Sequence, residues 1–262
     1  MNANAKKNHY ENVSLMITHY NRSKSLERLL EHFDQLDSSF KEVIVSDDGS
    51  KPEHLSYLQT LKEKYAFTLV TTPKNKGLGN NINKGQDAVK TEYTLYVQED
   101  FLPLKSFDTH FKNGLELIEE NKEFDIVRFY SYLNYPNLKP FKYGFSEMIF
   151  DPWSTNIDKI PMYSDHPHLR RSNILQKFGR YPEMKNPEKT EYDMMLSFLQ
   201  KKGRGLFFAN YKDVFDQGNS NAEPSTMNRK FWRFSNNFFI NKGLYMYRLL
   251  KFNYSYYFKK FN

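Results

Sequence analysis

The sequence predicts an α/β protein in which a mostly parallel sheet is flanked by helices. Three observations support this class: short apolar runs typical of buried strands, amphipathic helical segments between them, and polar clusters directly after successive strands. Strands that alternate with helices form βαβ units, whose right-handed crossovers bring the carboxyl ends of the strands to one edge. We therefore expect a ligand site at that edge, where open α/β sheets bind their ligands.

Strands and helices alternate through the first half of the chain. The predicted strands are residues 13–18, 42–46, 67–71, 93–97 and 125–129. The predicted helices are residues 26–36, 52–61, 78–89, 107–118, 173–178 and 191–201. We expect Ser23 or Ser25 to cap the first helix, and Pro52 to begin the second after Ser50. Between the fifth strand and the last helix the sequence is rich in Pro, Tyr and Asn and has no regular period.

The composition excludes several kinds of site. The 262 residues contain no cysteine, which excludes a disulfide scaffold, a zinc–thiolate site and a cysteine nucleophile. Residues 1–12 are polar and lack the apolar core of a signal peptide, and no run reaches the roughly 18 apolar residues of a membrane span. These features fit a reducing compartment, and we expect a cytoplasmic protein.

Charge divides the chain into two parts. Residues 224–262 contain eight Lys and Arg, no Asp or Glu, and thirteen aromatic residues, whereas residues 1–223 are close to neutral. We predict one domain over residues 1–223, with a nucleotide-binding half at about 12–103 and an acceptor half at about 104–223. A helical, basic and aromatic C-terminal extension follows it.

Two interpretations of this extension are open. Basic and aromatic residues together suit an anionic membrane surface, which would place the protein peripherally on the inner face of the cell membrane. Alternatively the segment packs on the main domain or on a second subunit of a homodimer, with Leu244, Tyr247 and Leu250 as the buried stripe of a helix. We expect no nucleic-acid partner.

Four polar clusters follow predicted strands, the first being Tyr20-Asn21-Arg22 after the first strand. Glu99 and Asp100 end the fourth strand, where adjacent carboxylates repel unless a cation or hydrogen-bond donors offset their charge. Oxygen ligands of this kind suit Mg²⁺ or Mn²⁺, although an acidic turn before the next helix is the alternative. Residues 47–50 (DDGS) form a glycine-containing turn, and residues 75–85 carry three glycines that let backbone amides approach a phosphate. Taken singly, neither of these two is more specific than a well-made turn or loop.

In combination the clusters are more specific. Residues 17–22 (ITHYNR), 43–50 (VIVSDDGS), 75–79 (NKGLG) and 96–100 (YVQED) resemble, in order and spacing, the family 2 glycosyltransferases of GT-A fold. The resemblance extends over about residues 12–205. It implies a transferase that moves a sugar from a nucleotide diphosphate donor, most commonly UDP, to a hydroxyl group with inversion at the anomeric carbon.

The resemblance also assigns residues to the donor. It implies that Tyr20 stacks on the nucleobase, that Asp48 holds the base, and that Asp100, with Glu99, binds the metal–diphosphate. Mn²⁺ or Mg²⁺ is thus the expected cofactor, although Gln98 stands where many relatives have the first carboxylate of an Asp-x-Asp motif. The full set expected at the donor is Thr18, Tyr20, Asn21, Arg22, Asp47, Asp48, Lys76, Gly77, Gln98 and Glu99.

The same family uses a carboxylate general base at the start of a late helix. Aligned on that helix, Glu191 falls on the base position, and Asp193, two residues on, is the second candidate base; at this spacing the two side chains point to different faces, so we expect only one to reach the acceptor. The alternative is that both only favour the helix N-terminus through its dipole.

The segment Asp165-His-Pro-His168 and the two arginines after it resemble a polar stretch near the acceptor and diphosphate. His166, His168 and Arg170 are the candidates there, and a structural histidine in a Pro-bounded loop is the competing interpretation.

The resulting hypothesis is a glycosyltransferase that acts on a glycan or lipid-linked acceptor in surface polysaccharide or glycoconjugate synthesis. Two alternatives come from other classes: a nucleotidyltransferase that makes nucleotide sugars, and a non-catalytic nucleotide-sugar binding module. A nucleotidyltransferase is expected to carry a Gly-rich basic loop after the first strand, where this chain has residues 18–22 (THYNR).

Overall fold

The computed structural model describes residues 8–132, 134–184, 186–218 and 238–260, with side chains from residue 242 onward in the last range. The strands, in chain order, are β1 (Asn8–His19), β2 (Ser38–Asp47), β3 (Thr68–Val70), β4 (Tyr93–Gln98), β5 (Phe101–Pro103), β6 (Ile126–Arg128), β7 (Leu138–Pro140), β8 (Phe145–Met148), β9 (His168–Arg171), β10 (Gly205–Phe208) and β11 (Phe215–Gln217). The helices are α1 (Ser23–Gln35), α2 (Pro52–Lys64), α3 (Leu78–Ala88), α4 (Phe107–Glu120), α5 (Ile174–Phe178), α6 (Pro187–Gln200) and α7 (Phe238–Phe258), with 3-10 helices at Ile157–Met162 and Tyr211–Asp213.

A nine-stranded sheet organises the molecule, in the order β3-β2-β1-β4-β9-β6-β10-β8-β7. The β1 strand pairs in parallel with both β2 and β4, and β2 pairs in parallel with β3. β9 runs antiparallel between β4 and β6, and a separate two-stranded sheet joins β5 to β11. The predicted α/β class with a mostly parallel sheet is confirmed, and all five predicted strands are present.

Hydrophobic clusters lie on the two faces of the sheet, as expected for a layered α/β fold. One joins apolar residues of β1 and β4 to α1, α2 and α4, and includes Leu29, Leu61 and Phe111. The other joins the opposite face to α3, α5 and α6, and includes Ile82 and Leu196. Because helices cover both faces, the free edge at the strand ends is the part of the sheet left for a ligand.

The serine caps that the sequence suggested are not used. Arg22 occupies the N-cap position of α1 and its side chain makes no capping hydrogen bond, while Ser23 lies inside the helix, its hydroxyl bonded to His54. Ser50 donates its hydroxyl to Asp47 instead of capping α2, which begins at Pro52 as predicted. Ser23 thus joins α1 to α2, and Ser50 bonds within its own turn, rather than either serine capping a helix.

The C-terminal helix α7 packs on the main domain. Leu249 and Phe252 are buried, and Phe252 belongs to the second hydrophobic cluster. The Tyr245 hydroxyl donates to the carbonyl of Thr155 at 2.7 Å. The packing interpretation is therefore confirmed, and the predicted boundary at residues 223/224 lies outside the described ranges.

The prediction that Leu244, Tyr247 and Leu250 form the buried stripe of this helix is wrong. Tyr247 and Leu250 are each 61% exposed, because the docked face of α7 is the one that carries Leu249 and Phe252. Among the described helices, none combines the length and hydropathy required to cross a membrane.

Candidate active site

The polar clusters of the sequence meet at the carboxyl edge of β1, β2 and β4. Thr18 of β1 lies opposite Ser46 on one side and Gln98 on the other. His19 lies opposite Asp47. The loops that leave these strands therefore begin side by side, as the alternation of strands and helices predicted.

Asp47 organises the turn after β2. Its carboxylate is fully buried and accepts hydrogen bonds from the His19 ring at 2.8 Å, from the Thr71 hydroxyl at 2.8 Å, and from the hydroxyl and backbone amide of Ser50. Burial would raise the pKa of Asp47, but these donors outweigh it and hold the pKa well below its ordinary value. With its oxygens satisfied within the loops, Asp47 shapes the predicted donor site rather than facing it.

Asp48 holds the glycine-rich loop that precedes α3. Its two carboxylate oxygens accept from the backbone amides of Lys76, at 2.9 Å, and Gly77, at 2.8 Å. Gly77 has φ +92° and is the N-cap residue of α3, so Asp48 holds the point where the loop ends and the helix begins. The amides of Lys76 and Gly77, which were expected to face a phosphate of the sugar donor, thus donate their hydrogen bonds to Asp48 instead.

Lys84 is a basic residue on α3 that the sequence did not single out. Its ammonium group donates to the Ser46 hydroxyl at 2.9 Å and to the side-chain oxygen of Asn81. Burial lowers the pKa of Lys84 to about 8, against the attraction of Asp48 and Asp47. The site therefore contains a desolvated lysine close to the two aspartates of the turn.

The loop after β1 is held against the turn by Asn21. Its backbone amide donates to the Ser50 hydroxyl and its side-chain oxygen accepts from the Lys51 amide, both at 2.8 Å. Tyr20 precedes it and is half-buried. Thr18 and Gln98 both hydrogen-bond the hydroxyl of Tyr96, at 3.2 and 3.4 Å. Of these predicted donor contacts, Tyr20 remains at the rim, whereas Thr18 lies beneath it.

Arg22 pairs with the two acidic residues after β4. Its guanidinium lies 3.2 Å from the Asp100 carboxylate and 3.6 Å from that of Glu99. The same Asp100 oxygen accepts from the side-chain amide of Gln217 at 3.2 Å, and the Gly218 amide donates to the Asp100 carbonyl. The predicted repulsion between adjacent carboxylates is thus offset by an arginine brought from the neighbouring loop.

The donor set at this point fits a divalent cation. Glu99 and Asp100 supply carboxylate oxygens, and Mg²⁺ or Mn²⁺ is usually bound by one or two carboxylates together with substrate phosphates. Within the described ranges no group of three or more His, Cys, Asp or Glu is placed to hold a metal by itself. A bound cation would therefore depend on the nucleotide for the rest of its ligands. Arg22 and Gln217 would have to share or yield their Asp100 oxygen.

A second pair of carboxyl groups consists of Glu191, at the start of α6, and Asp165, in the loop before β9. Glu191 accepts a hydrogen bond from the Asp165 backbone amide at 3.0 Å, and Asp165 accepts from the Tyr181 hydroxyl at 3.0 Å. Burial, together with the charge of Glu191, raises the pKa of Asp165 well above its ordinary value. Burial also raises the pKa of Glu191, although the Asp165 amide and the charge of Arg128 favour its ionised form. Burial thus favours the protonated form of both carboxyl groups, while the Asp165 amide and Arg128 favour the negative charge on Glu191.

Arg128 supplies the positive charge beside this pair. It is 2% exposed and donates to the carbonyl of Pro161 at 2.6 Å and to the Ser164 hydroxyl at 2.8 Å. Burial lowers the pKa of Arg128 to about 10, and the charge of Glu191 opposes that shift. It therefore remains a cation at neutral pH.

Asp193 faces a different part of the molecule. Its carboxylate pairs with the ammonium group of Lys259, which follows α7, at 2.5 Å. The two acids at the start of α6 thus point to different faces, as their spacing predicted, and the second one holds the C-terminal helix.

The candidates His166, His168 and Arg170 also lie in different places: the first is at the rim, and the other two are buried. His166 is half-buried at the rim, its ring 4.5 Å from that of Tyr132 and 5.8 Å from that of Phe101. Burial and the charge of Arg128 lower the pKa of His166 to about 3, so the ring is neutral. His168 lies on β9 inside the sheet, where it is inaccessible to solvent and its ring Nδ1 donates to the His166 carbonyl at 2.7 Å.

Arg170 is also buried, and the structure does not bring it to the rim. Its guanidinium donates to the side-chain oxygen of Gln86 at 3.0 Å and lies 5.0 Å from the centre of the Tyr96 ring. Burial disfavours its charge, but Tyr163, Tyr181 and the other groups around it leave the pKa raised. His168 and Arg170 were expected at the acceptor or diphosphate. Both are instead in the interior, because their strand, β9, lies between β4 and β6 in the sheet.

A continuous row of contacts joins the two halves of the rim. Gln217 bonds Asp100, the Tyr132 hydroxyl donates to Gln217 at 3.0 Å, and the Tyr132 ring packs on His166. Asp165 precedes His166 and is bonded to Glu191. One series of contacts therefore joins the acidic pair of Glu99 and Asp100 to the candidate base Glu191.

Sequence reasoning missed Arg128, Lys84 and Gln217. Arg128 had a usable signal, because a charged residue at the centre of the apolar run 125–129 needs a buried partner. Lys84 and Gln217 had none, since only the packing of α3 and the pairing of β11 with β5 bring them to the site.

The comparison with protein families gives one clear match. Residues 14–179, more than half of the chain, match the model of Glycosyl transferase family 2. An uncharacterized glycosyltransferase of Haemophilus influenzae is 24% identical over 203 residues, which are 72% of this chain and 62% of that protein. A poly-beta-1,6-N-acetyl-D-glucosamine synthase of Staphylococcus aureus is 27% identical over 90 residues, which are 34% of this chain and 22% of the synthase. The chain thus spans less than two thirds of these relatives.

Solved structures agree on the fold. The Staphylococcus aureus TarS 1–349 structure in complex with UDP-GlcNAc has a TM-score of 0.62 at 17% identity, over 94% of this chain and 73% of that one. A mannosyltransferase from Pyrobaculum calidifontis, solved with GDP-Man and Mn²⁺, has a TM-score of 0.51 at 15% identity, over 76% of this chain and 56% of that one. With its family match, its GT-A architecture and its row of acidic residues at the strand ends, this chain belongs to Glycosyl transferase family 2.

Proposed function

We propose that this chain transfers a hexosyl or N-acetylhexosaminyl group from a UDP-sugar to a hydroxyl group, with inversion at the anomeric carbon. The observation that carries the proposal is the row of contacts that links Asp100 to Glu191 along one rim. It provides a diphosphate end and a base end on one surface. The UDP-GlcNAc complex of TarS and the N-acetylglucosamine synthase relative favour UDP-GlcNAc among the donors to be tested first.

The donor would lie across the loops after β1, β2 and β4. Tyr20 at the rim is placed to stack on the base, and Lys84 and Asp48 supply charge at the base or ribose. Glu99 and Asp100 would hold Mn²⁺ or Mg²⁺, which, when bound, offsets the charge of the departing diphosphate. Arg22, already at this pair, can contribute positive charge to the same phosphates.

Glu191 is the proposed base. The acceptor oxygen attacks the anomeric carbon as the bond from that carbon to the diphosphate oxygen breaks, and the acceptor proton passes to the Glu191 carboxylate. One displacement from the face opposite the leaving group inverts the configuration. Arg128 favours the ionised form of Glu191 that this step requires. Asp193, paired with Lys259, is the weaker candidate.

The acceptor we propose is a glycan or lipid-linked hydroxyl in surface polysaccharide or glycoconjugate synthesis, on the cytoplasmic side of the membrane where nucleotide sugars are supplied. His166 is the predicted acceptor-segment residue that remains at the rim. The nucleotidyltransferase alternative is not taken further, because the chain belongs to a glycosyltransferase family.

A donor panel read by thermal unfolding tests the proposal. UDP-GlcNAc, UDP-glucose, UDP-galactose, GDP-mannose and the free diphosphates are compared with and without Mn²⁺. A ligand at about 100 times its Kd stabilises the folded protein by about 2.7 kcal/mol. We expect a UDP-sugar to raise the Tm only when the cation is present. A shift with no donor, or an equal shift with excess chelator, would argue for a different ligand or for cation-independent binding.

A further inference from the structure

The outer face of α7 is apolar, although it points away from the domain. The helix packs through Leu249, Phe252 and Tyr256, which lie on one side. At about 100° per residue, the opposite side presents a continuous stripe that spans about a third of the helix circumference. This outer stripe consists of Met246, Tyr247, Leu250, Tyr254, Tyr257 and Phe258, all of them exposed.

The exposure of the outer stripe is large. Phe258 is 70% exposed and Tyr254 is 69% exposed. A single exposed apolar side chain needs no explanation, whereas a contiguous apolar patch marks an interaction surface. Trp153, 83% exposed, lies beside the stripe with its ring 6.3 Å from that of Tyr257. The patch therefore continues from the helix onto the loop before the 3-10 helix at Ile157–Met162.

Positive charges flank the outer stripe. Lys251 and Arg248 lie on one side of it and Lys242 on the other, and all three are exposed. Residues 238–260 contain no Asp or Glu. The helix face thus combines aromatic rings with a cationic border and carries no negative charge of its own, whereas the loop beside it has the exposed Asp151, which accepts from the Trp153 amide at 2.9 Å.

We propose that this surface docks on an anionic lipid bilayer, with the aromatic rings at the headgroup level and the basic residues on the lipid phosphates. Aromatic side chains with a polar tip, bordered by Lys and Arg, are the composition that interfacial helices use. The charges distinguish this occupant from a second copy of the chain. A two-fold dimer through the outer stripe would bring the same basic border against itself.

The packing of α7 on the domain fixes the direction of the outer stripe. The helix is held to the domain by the contact of Lys259 with Asp193 and by the burial of Phe252, and it keeps its apolar outer side in a fixed direction. The inference does not depend on the proposed transferase activity, since vesicle binding requires neither donor nor acceptor.

Vesicle flotation of the full chain tests the proposal. We expect binding to phosphatidylcholine vesicles that contain about one third phosphatidylglycerol, weaker binding to phosphatidylcholine alone, and loss of binding as salt is raised. The triple variant Leu250→Ser/Tyr254→Ser/Phe258→Ser should reduce binding by about tenfold or more. Tyr254→Ser should weaken it measurably. The matched change Tyr143→Ser, at an exposed tyrosine between β7 and β8, should leave it unchanged.

Fluorescence locates the surface directly. The chain has two tryptophans, so Trp232→Phe leaves Trp153 as the single reporter. On anionic vesicles its emission should shift to the blue and be quenched by brominated lipid. Unchanged emission together with wild-type flotation of the triple variant would overturn the proposal. So would light scattering that shows the triple variant to be monomeric where the wild-type chain is dimeric, with no vesicle binding by either.

Discussion

The Arg22 guanidinium lies 3.2 Å from the Asp100 carboxylate and 3.6 Å from that of Glu99, with all three side chains largely buried. An arginine from the loop after β1 therefore neutralises the acidic pair that follows β4. A divalent cation that binds the pair must work against this fixed positive charge, which weakens its attraction to the carboxylates. The diphosphate of a donor would compensate by adding negative charge at the same place.

This relationship predicts a gain of cation affinity when the arginine is removed. Arg22→Gln should bind Mn²⁺ in the absence of nucleotide about tenfold more tightly than the wild-type chain, because the competing charge is gone. Electron paramagnetic resonance of free Mn²⁺ measures it. Arg180→Gln is the control, since Arg180 carries an equal charge but pairs with Asp87 on the surface. Equal or weaker Mn²⁺ binding by Arg22→Gln would show that the arginine does not compete for the site.

The proposed base predicts a separation of binding from turnover. Glu191→Gln should keep donor affinity while UDP release falls by about 100-fold or more, because only the proton-transfer step loses its partner. Calorimetry with the UDP-sugar measures the first quantity and a UDP assay the second. Asp193→Asn is the matched control and should retain turnover, since Asp193 pairs with Lys259. If Asp193→Asn is the inactive variant, the base has been assigned to the wrong acid.

The buried Glu191 carboxyl group predicts how the rate of turnover depends on pH. Turnover requires ionised Glu191, whose pKa burial raises above the ordinary 4.5, so the rate should rise with pH through a limb centred above that value. Glu188→Gln removes a like charge that raises this pKa, so the limb should move to lower pH while the plateau rate changes little. A pH–rate profile of UDP release measures both. A limb that does not move in Glu188→Gln would mean that the charge of Glu188 does not raise the pKa of Glu191.

The two faces of α7 predict unequal effects on the free energy of unfolding. Phe252→Ala should lower the free energy of unfolding by about 3–5 kcal/mol, because Phe252 is 1% exposed and fills part of the second hydrophobic cluster. Phe258→Ala, on the outer stripe, should change it by less than about 0.5 kcal/mol. Chemical denaturation of both variants measures the difference. Similar values for the two would mean that the helix is not docked through the face described.

The fold was predicted well where local pattern decides structure. The strands 13–18, 42–46 and 93–97 are apolar runs between helices, and they pair in parallel as expected. The convergence of Asp48 and Asp100 followed from the direction of those strands. These features depend on periodicity and chain direction, both of which can be read from a single sequence.

What the sequence could not supply depends on contacts between distant segments. β9 reads HLRR and was not recognised as a strand, because its polar side chains are satisfied by partners such as Gln86 that periodicity does not reveal. The pairing of Asp193 with Lys259 separates the two candidate bases, and it exists only once α7 has docked. Roles inferred by resemblance alone, such as that of Arg170, were the least secure for this reason.

The central claim is that the rim between Asp100 and Glu191 binds and activates a UDP-sugar. Release of UDP from UDP-GlcNAc and related donors, measured without acceptor in the presence of Mn²⁺, tests it most directly. We expect slow UDP release by the wild-type chain from at least one UDP-sugar, suppressed by chelator and by Asp100→Asn, since that variant loses one of the two carboxylates at the proposed cation site. Asp193→Asn, made in parallel, should release UDP at the wild-type rate. No UDP release from any donor, or full release by Asp100→Asn in excess chelator, would contradict it.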